Sequence, residues 1–290
     1  MLKLELVEAV LARALKGGAD FAEVYAQRAK KRRMKVRQGA LEEALSGLDY
    51  GAGVRLFFGT EVVYAYTNDL TQEGLMEALE TLLRAKGALG KVDEGGKGGL
   101  DFRKATPKGL HAPKVPYGEK DKRYRLERLL EAEAGARIAP AIKQVEASLL
   151  EWEEEVLVAN TEGVFAEEKR VRTRLFVLAV AQDGAEVQTG YSAPGKSVGL
   201  ELFDLYPPKA VGEKAARQAL TNLKARPAPA GTFPVVVGPG FGGVLFHEAV
   251  GHLLETTSVA RKASVLADKL GEVVASPAVT YIDDGTLPHA

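Results

Sequence analysis

Residues 145–191 read VEASLLEWEEEVLVANTEGVFAEEKRVRTRLFVLAVAQDGAEVQTGY, and the pattern of this stretch decides the fold class. Apolar runs at 145–150, 155–159, 164–181 and 185–191 are separated by turn-forming residues, Asn160-Thr161-Glu162-Gly163 and Asp183-Gly184. The reading is an antiparallel meander. Within it Trp152 stands among Glu151, Glu153, Glu154 and Glu155. Four carboxylates could gather a cation, but such a run is more often solubilising charge at a strand end, and that reading is adopted here.

Working outward toward the amino terminus, residues 121–136 predict a charged helix with Leu126, Leu129, Leu130 and Ala134 inward, and Pro140 closes that region. Residues 87–120 are rich in Gly, Lys and Pro without periodicity, a long loop of unassigned role. His111 lies in this loop with no partner at ligand spacing and reads as a surface histidine. Residues 2–16 place Leu4, Val7, Leu11, Ala14 and Leu15 on one helical face, closed by Gly17-Gly18. Strand-like runs follow at 21–28, 33–38, 44–48, 54–58 and 62–66, with a hairpin turn at 58–61. Residues 30–37 are dense in Lys and Arg, which reads as a solvated strand face rather than a nucleic-acid patch. Asp69 and Gln72 suggest a capping box for a helix carrying Leu75, Ala78, Leu79, Leu82 and Leu83 and ending at Gly87.

Toward the carboxyl terminus, Pro207 and Pro208 open a helix over 207–225 with Val211, Ala215, Ala219 and Leu223 inward. Residues 226–231, RPAPAG, form the clearest linker. The expected architecture is therefore α+β. An amino-terminal domain of mixed or antiparallel sheet with flanking helices occupies residues 1–225, and a second α+β domain begins over 226–290. In that second part a strand is expected at 235–237, a short helix from Ser258 to Leu270 and a strand at 279–282, turned by Asp283-Asp284-Gly285. So few elements offer little surface to bury an apolar helix, and the second domain reads as unfinished.

Composition narrows the class. The chain has 290 residues with 39 basic and 39 acidic side chains, so no net charge recruits nucleic acid or an anionic membrane. It has no cysteine, which excludes disulfides and thiol chemistry within it. Lys3, Glu5, Glu8 and Arg13 interrupt the first apolar stretch, so a signal peptide is not expected, and no apolar run approaches a membrane span. A cytoplasmic protein is the expectation.

Residues 233–255, FPVVVGPGFGGVLFHEAVGHLLE, carry the chemistry. Of four histidines, two lie here, His247 and His252, with Glu248 beside the first. Two imidazoles and a carboxylate are the parts of a hydrolytic zinc site. The spacing is H-E-x-x-x-H, which an ideal helix would splay by about 140°, against about 40° for H-E-x-x-H. A π-bulge or a break between Glu248 and His252 would restore a common face, and Gly251 is the residue most able to absorb it. Two half-buried histidines without a metal, and a dinucleotide turn from Gly238, Gly240 and Gly243, are the competing readings.

These residues, with the later LADKLGEVVASPAVTYIDDGTLPHA, resemble the TldD/PmbA family, also called modulators of DNA gyrase, and within it the TldD branch, because the TldE or PmbA companions lack the H-E-x-x-x-H set. FAEVYAQR and GLDYGAGVRLFFGTEVVYAYTNDLT extend the resemblance to the amino-terminal part. The resemblance implies a zinc-dependent metalloprotease acting on unfolded or extended peptides, with His247 and His252 as metal ligands and Glu248 as catalytic base. It further implies a homodimer or a heterodimer with a TldE/PmbA-like companion. The family's third protein ligand is a cysteine near the carboxyl terminus, and this chain has none. Glu255, Asp283, Asp284 and His289 are the in-chain candidates for that role. The alternative function is a catalytically incomplete peptide-binding or partner-regulating subunit, and the chain by itself is expected to hold zinc weakly and to be nearly inactive.

Overall fold

The computed structural model describes residues 1–87, 100–105, 111–240 and 242–289, so parts of the long loop and Phe241 lie outside the described residues. The fold is α+β. Its elements are α1 (Leu4–Lys16), β1 (Phe21–Arg37), β2 (Ala40–Phe58), β3 (Glu61–Thr67), α2 (Gln72–Ala85), β4 (Arg103–Ala105), α3 (Lys122–Gly135), β5 (Ile142–Asn160), β6 (Val164–Asp183), β7 (Glu186–Ser192), β8 (Gly195–Lys196), α4 (Leu202–Leu205), α5 (Pro208–Asn222), α6 (Gly242–Ala249) and α7 (Thr256–Ala260). The chain divides into two compact units. The first comprises Met1–Phe58, Val62–Arg226 and Thr286–Ala290, and the second Gly59–Glu61 and Pro227–Gly285.

In the first unit one eight-stranded sheet runs β3-β2-β1-β5-β6-β4, with β7 and β8 also on β6. β1, β2, β5, β6, β7 and β8 pair antiparallel, and β4 lies parallel to the start of β6. Three strands are far longer than the apolar runs suggested: β1 has 17 residues and β2 and β5 have 19, whereas β6, with 20, follows the expected 164–181 closely. The sequence reading broke them at 29–32, 49–53 and 151–154, where the apolar alternation lapses. The ladder continues there because charged residues meet opposite charges across the strands. Arg28, Lys30 and Arg32 stand opposite Glu155, Glu153 and Glu151 in register. Lys31 reaches Asp49 at 2.7 Å, and Lys169 reaches Glu155 at 2.9 Å. The basic run is thereby answered by carboxylates of its neighbours.

Side chains alternate across a strand, so even positions of β1 share one face. That face holds two cores, one toward each end of the long strands. Val24, Val54, Leu157 and Phe165 pack with α1 and α2. Met34, Leu149, Leu175 and Val177 pack with α3, α4 and α5. Between the cores lies Glu151, which is 2 % exposed. This corrects the reading of the glutamate run as solubilising charge at a strand end. Glu151 sits mid-strand and takes a two-pronged ion pair from Arg125, Nε to Oε1 at 2.5 Å and Nη2 to Oε2 at 3.2 Å.

Helix starts follow local chemistry with one shift. Asp121 caps α3 by accepting from the Tyr124 N–H at 2.9 Å. α2 is capped by Thr71, which accepts from the Gly74 N–H at 3.2 Å, while Asp69 accepts from the Thr71 N–H. The expected Asp69–Gln72 box is thus displaced by two residues. Beside the second core, the Glu201 carboxylate accepts from the N–H groups of Lys114 and Val115, both at 2.9 Å. Burial by itself raises the Glu201 pKa, but backbone N–H donors from Lys114, Val115, Glu201 and Gly199 outweigh it and hold the carboxyl below its usual range. A lowered folded-state pKa gives stability that is present above the unfolded value, about 4.3, and lost as pH falls through the folded value. Glu201→Gln is therefore expected to cost about 1–3 kcal/mol at neutral pH. The gap should shrink in acid, read from urea midpoints at both pH values. An equal gap in acid would show that the carboxylate charge is not what holds residues 114 and 115.

The second unit departs most from the sequence reading. Residues 235–237 and 279–282 form no strand among the described residues, and Val236 is 97 % exposed. A strand exists only with a neighbour to accept its N–H groups, and the unit supplies none. The helix expected from Ser258 to Leu270 is only α7, because Lys262 turns left-handed at φ 55°. Ser264 then donates to the Leu253 carbonyl at 2.6 Å and directs the chain elsewhere.

Candidate metal centre

The metal-binding candidates sit where α6 stops. The helix ends at Ala249, with a last i→i−4 bond from the Val250 N–H to the Phe246 carbonyl at 2.9 Å. Val250 then leaves helical geometry, and residues 251–254 wind more tightly as a 3₁₀ turn. The common face is therefore reached by a break, and the π-bulge alternative is not what the chain adopts. The break swings His252 round to His247, with ring centroids 4.5 Å apart. One donor atom from each of His247, Glu248 and His252 then lies within 4.8 Å of the others.

Gly251 makes this approach feasible. A Cβ there would fall 3.2 Å from His247 Nδ1 and 3.0 Å from the Tyr281 hydroxyl. Tyr281 was read only as part of a strand, and nothing in its local sequence ties it to a motif thirty residues earlier. Glu255 is placed more sharply than the spacing alone allowed. Its Oε1 lies 2.7 Å from His252 Nδ1, while His252 Nε2 faces Glu248 Oε2 at 3.6 Å. The hydrogen bond to Glu255, followed by the charges of Glu255 and Glu248, raises the His252 pKa. With Nδ1–H engaged by Glu255, Nε2 is the nitrogen presented to the cluster, an arrangement that commonly orients a metal-binding imidazole.

The donor set suits zinc. Bonds of about 2.0–2.1 Å require donors within roughly 4 Å of one another, a small closure for three exposed side chains. Of the third-ligand candidates, only Glu255 adjoins the cluster, and its oxygen is engaged with His252. Asp283 and Asp284 do not join the gathered group. His289 belongs to the first unit, where its Nδ1 lies 3.2 Å from the Ser197 carbonyl and its N–H donates to His111 Nδ1. His111 thus has a histidine neighbour that sequence spacing did not reveal. In the glycine turn, Gly240 is left-handed at φ 88° and its carbonyl takes the Gly243 N–H. The dinucleotide reading lacks its strand, since residues 235–237 are unpaired among the described residues.

Sequence models of the PmbA/TldA metallopeptidases match most of the chain: domain 1 over residues 22–86, the central domain over 113–223 and the C-terminal domain over 230–290. The chain belongs to the TldD/PmbA family. It is 33 % identical over 280 residues to the metalloprotease TldD homolog of Haemophilus influenzae, covering 93 % of this chain and 57 % of that protein. This TldD/PmbA chain thus spans little more than half the length of that relative. Among solved structures, a putative modulator of DNA gyrase from Bacteroides thetaiotaomicron matches with a TM-score of 0.71 at 19 % identity, over 95 % of this chain and 63 % of the other. TldE from Thermococcus kodakarensis matches with a TM-score of 0.65 at 17 % identity, over 91 % and 58 %. These likenesses establish a TldD/PmbA-type fold, and the family is one of metallopeptidases. No helix among the described residues is long and apolar enough to cross a membrane.

Proposed function

We propose that this chain forms part of a zinc-dependent TldD-type peptidase that cleaves unfolded or extended peptides, with His247 and His252 as metal ligands and Glu248 as general base. The observation that carries the reading is the helix break that gathers these three residues within 4.8 Å. When bound, zinc would supply a water of lowered pKa and polarise the scissile carbonyl. Glu248 accepts the water proton and returns it to the leaving amine nitrogen, so the peptide bond is exchanged for a carboxylate and an amine. Glu255 holds the His252 ring by its Nδ1–H, leaving Nε2 directed at the cluster. An extended peptide presenting its main chain to a sheet edge would account for loose side-chain preference. A cytoplasmic setting and pairing with a second copy or a TldE/PmbA-like companion belong to the same proposal, and the fold shared with TldE supports the pairing.

The second reading, a peptide-binding or partner-regulating subunit with an incomplete site, is favoured by the ligand count. Zinc sites normally use three or more protein ligands, and the cluster has two imidazoles with Glu248 reserved as base. The chain purified by itself is therefore expected to carry zinc well below one ion per chain and to hydrolyse peptides near background. Added zinc should be taken up less by His247→Ala and His252→Ala than by the parent, measured by elemental analysis after gel filtration. Uptake unchanged in both variants would remove the metal assignment. Near-stoichiometric zinc with chelator-sensitive hydrolysis would instead complete the site within this chain and make Glu255 the first candidate for third ligand.

A further inference from the structure

The sheet face opposite the two cores carries a groove of about 980 Å³ that the metal site does not use. Its floor is built from two neighbouring cross-strand rows. One runs Gly47, Lys31, Trp152 and Arg172, and the next Leu45, Arg33, Leu150 and Arg174. Cationic positions thus alternate with glycine or apolar ones across the strands, and each strand repeats its own type along the groove. The apolar members are open to solvent: Leu45 is 62 % exposed, Leu150 41 % and Trp152 37 %. Lys31 lies over the Trp152 ring at 4.8 Å.

The charges on this face do not cancel. Elsewhere on the sheet Arg37 pairs with Glu146, Arg55 with Glu23 and Lys169 with Glu155. At the groove Lys31 leans on Asp49 and Arg33 on Glu43. Arg172 and Arg174 have no acidic partner among the described residues, and Gly195 of β8 lies opposite Arg174 without a side chain to cover it. Two unanswered arginines beside exposed tryptophan and leucine surface mark a place for an anion that also brings apolar contact. We propose that this face is a docking groove for an acidic, extended polypeptide segment with carboxylates at alternate positions. Arg172 and Arg174 are two residues apart on one strand face, about 7 Å, the same repeat as alternate side chains of an extended peptide. The intervening apolar side chains of such a segment would cover Trp152 and Leu150. A nucleic-acid strand fits less well, because its affinity grows with each phosphate neutralised and the groove's rim carries the carboxylates Asp49 and Glu43.

Trp152 is the only tryptophan of the chain, so its emission reports on this groove alone. The chain is titrated, with chelator present, with a capped peptide alternating glutamate and leucine, with its glutamine counterpart and with oligothymidylate. The acidic peptide is expected to give a saturable change in Trp152 emission that weakens with salt, and the glutamine peptide none. Arg172→Gln with Arg174→Gln should loosen binding about tenfold, the loss of roughly one charge-assisted contact. Arg172→Gln and Arg174→Gln singly should each loosen it in the same direction, by less. Circular dichroism confirms that each variant is folded. The proposal is overturned by an unchanged emission, an equal response to the glutamine peptide, or unaltered affinity in these variants. Tighter binding of oligothymidylate would reassign the groove to nucleic acid. An emission change that follows protein concentration without peptide would reassign it to a second copy of the chain.

Discussion

In an assembly whose metal site is fully occupied and which cleaves peptides, Glu248→Gln is expected to lower hydrolysis by about 10²–10⁴-fold while leaving the bound zinc unchanged. Glutamine keeps the shape of the side chain and leaves both imidazoles in place, but it cannot accept the proton of the attacking water. The geometry behind this expectation is that Glu248 Oε2 lies 3.6 Å from His252 Nε2, inside the cluster but not bonded to a ring nitrogen as Glu255 is. Initial rates on an unfolded protein substrate, with metal content measured on the same samples, provide the check. Hydrolysis within a few-fold of the parent would sink Glu248 as the base. Loss of zinc together with activity would recast it as a ligand.

The second large effect is on stability. Arg125 and Glu151 have side chains 8 % and 1 % exposed, and Arg125 also donates to the carbonyls of Tyr117, Lys120 and Asp121. Arg125→Leu leaves the Glu151 carboxylate buried, with Arg32 at 3.6 Å as its remaining cation. Removing one partner of a buried pair typically costs about 3–5 kcal/mol, whereas replacing both with apolar residues is often close to neutral. Arg125→Leu is therefore expected to lower the melting temperature by roughly 10 °C. The double variant Arg125→Leu with Glu151→Leu should recover much of that loss. Thermal melts of the two single variants and the double provide the check. If the double falls by the sum of the singles, the two groups act independently and the pair is not what joins α3 to β5.

Much of the first unit was legible because its signals are local. Asn160 marks the β5–β6 turn by accepting from the N–H groups of Glu162 and Val164, a short-range habit of asparagine. Leu129 and Ala215 fall on core faces of helices whose period is written in the sequence. The continuity of the long strands was not legible, because residues 29–32 and 151–154 lack apolar alternation. Their pairing depends on which charges lie opposite, and Arg32 finds Glu151 more than a hundred residues away. For the same reason Glu151 looked like one surface glutamate among several until the ladder placed it beneath Arg125.

The candidate site divides along the same line. The residue types, the adjacency of His247 and Glu248, the glycine before His252 and the family signature are all properties of the sequence by itself, and they identify the kind of chemistry. That same spacing splays the two histidines on any regular helix. Whether they meet was decided by where α6 ends, and that depends on packing around Gly251, where the Tyr281 hydroxyl and the His247 ring occupy the space a side chain would need. Spacing along a chain determines which residues can share a helical turn. Where a helix stops, which carboxylate is buried and which cations stay unanswered are set by partners distant in sequence, and only the tertiary structure brings those together.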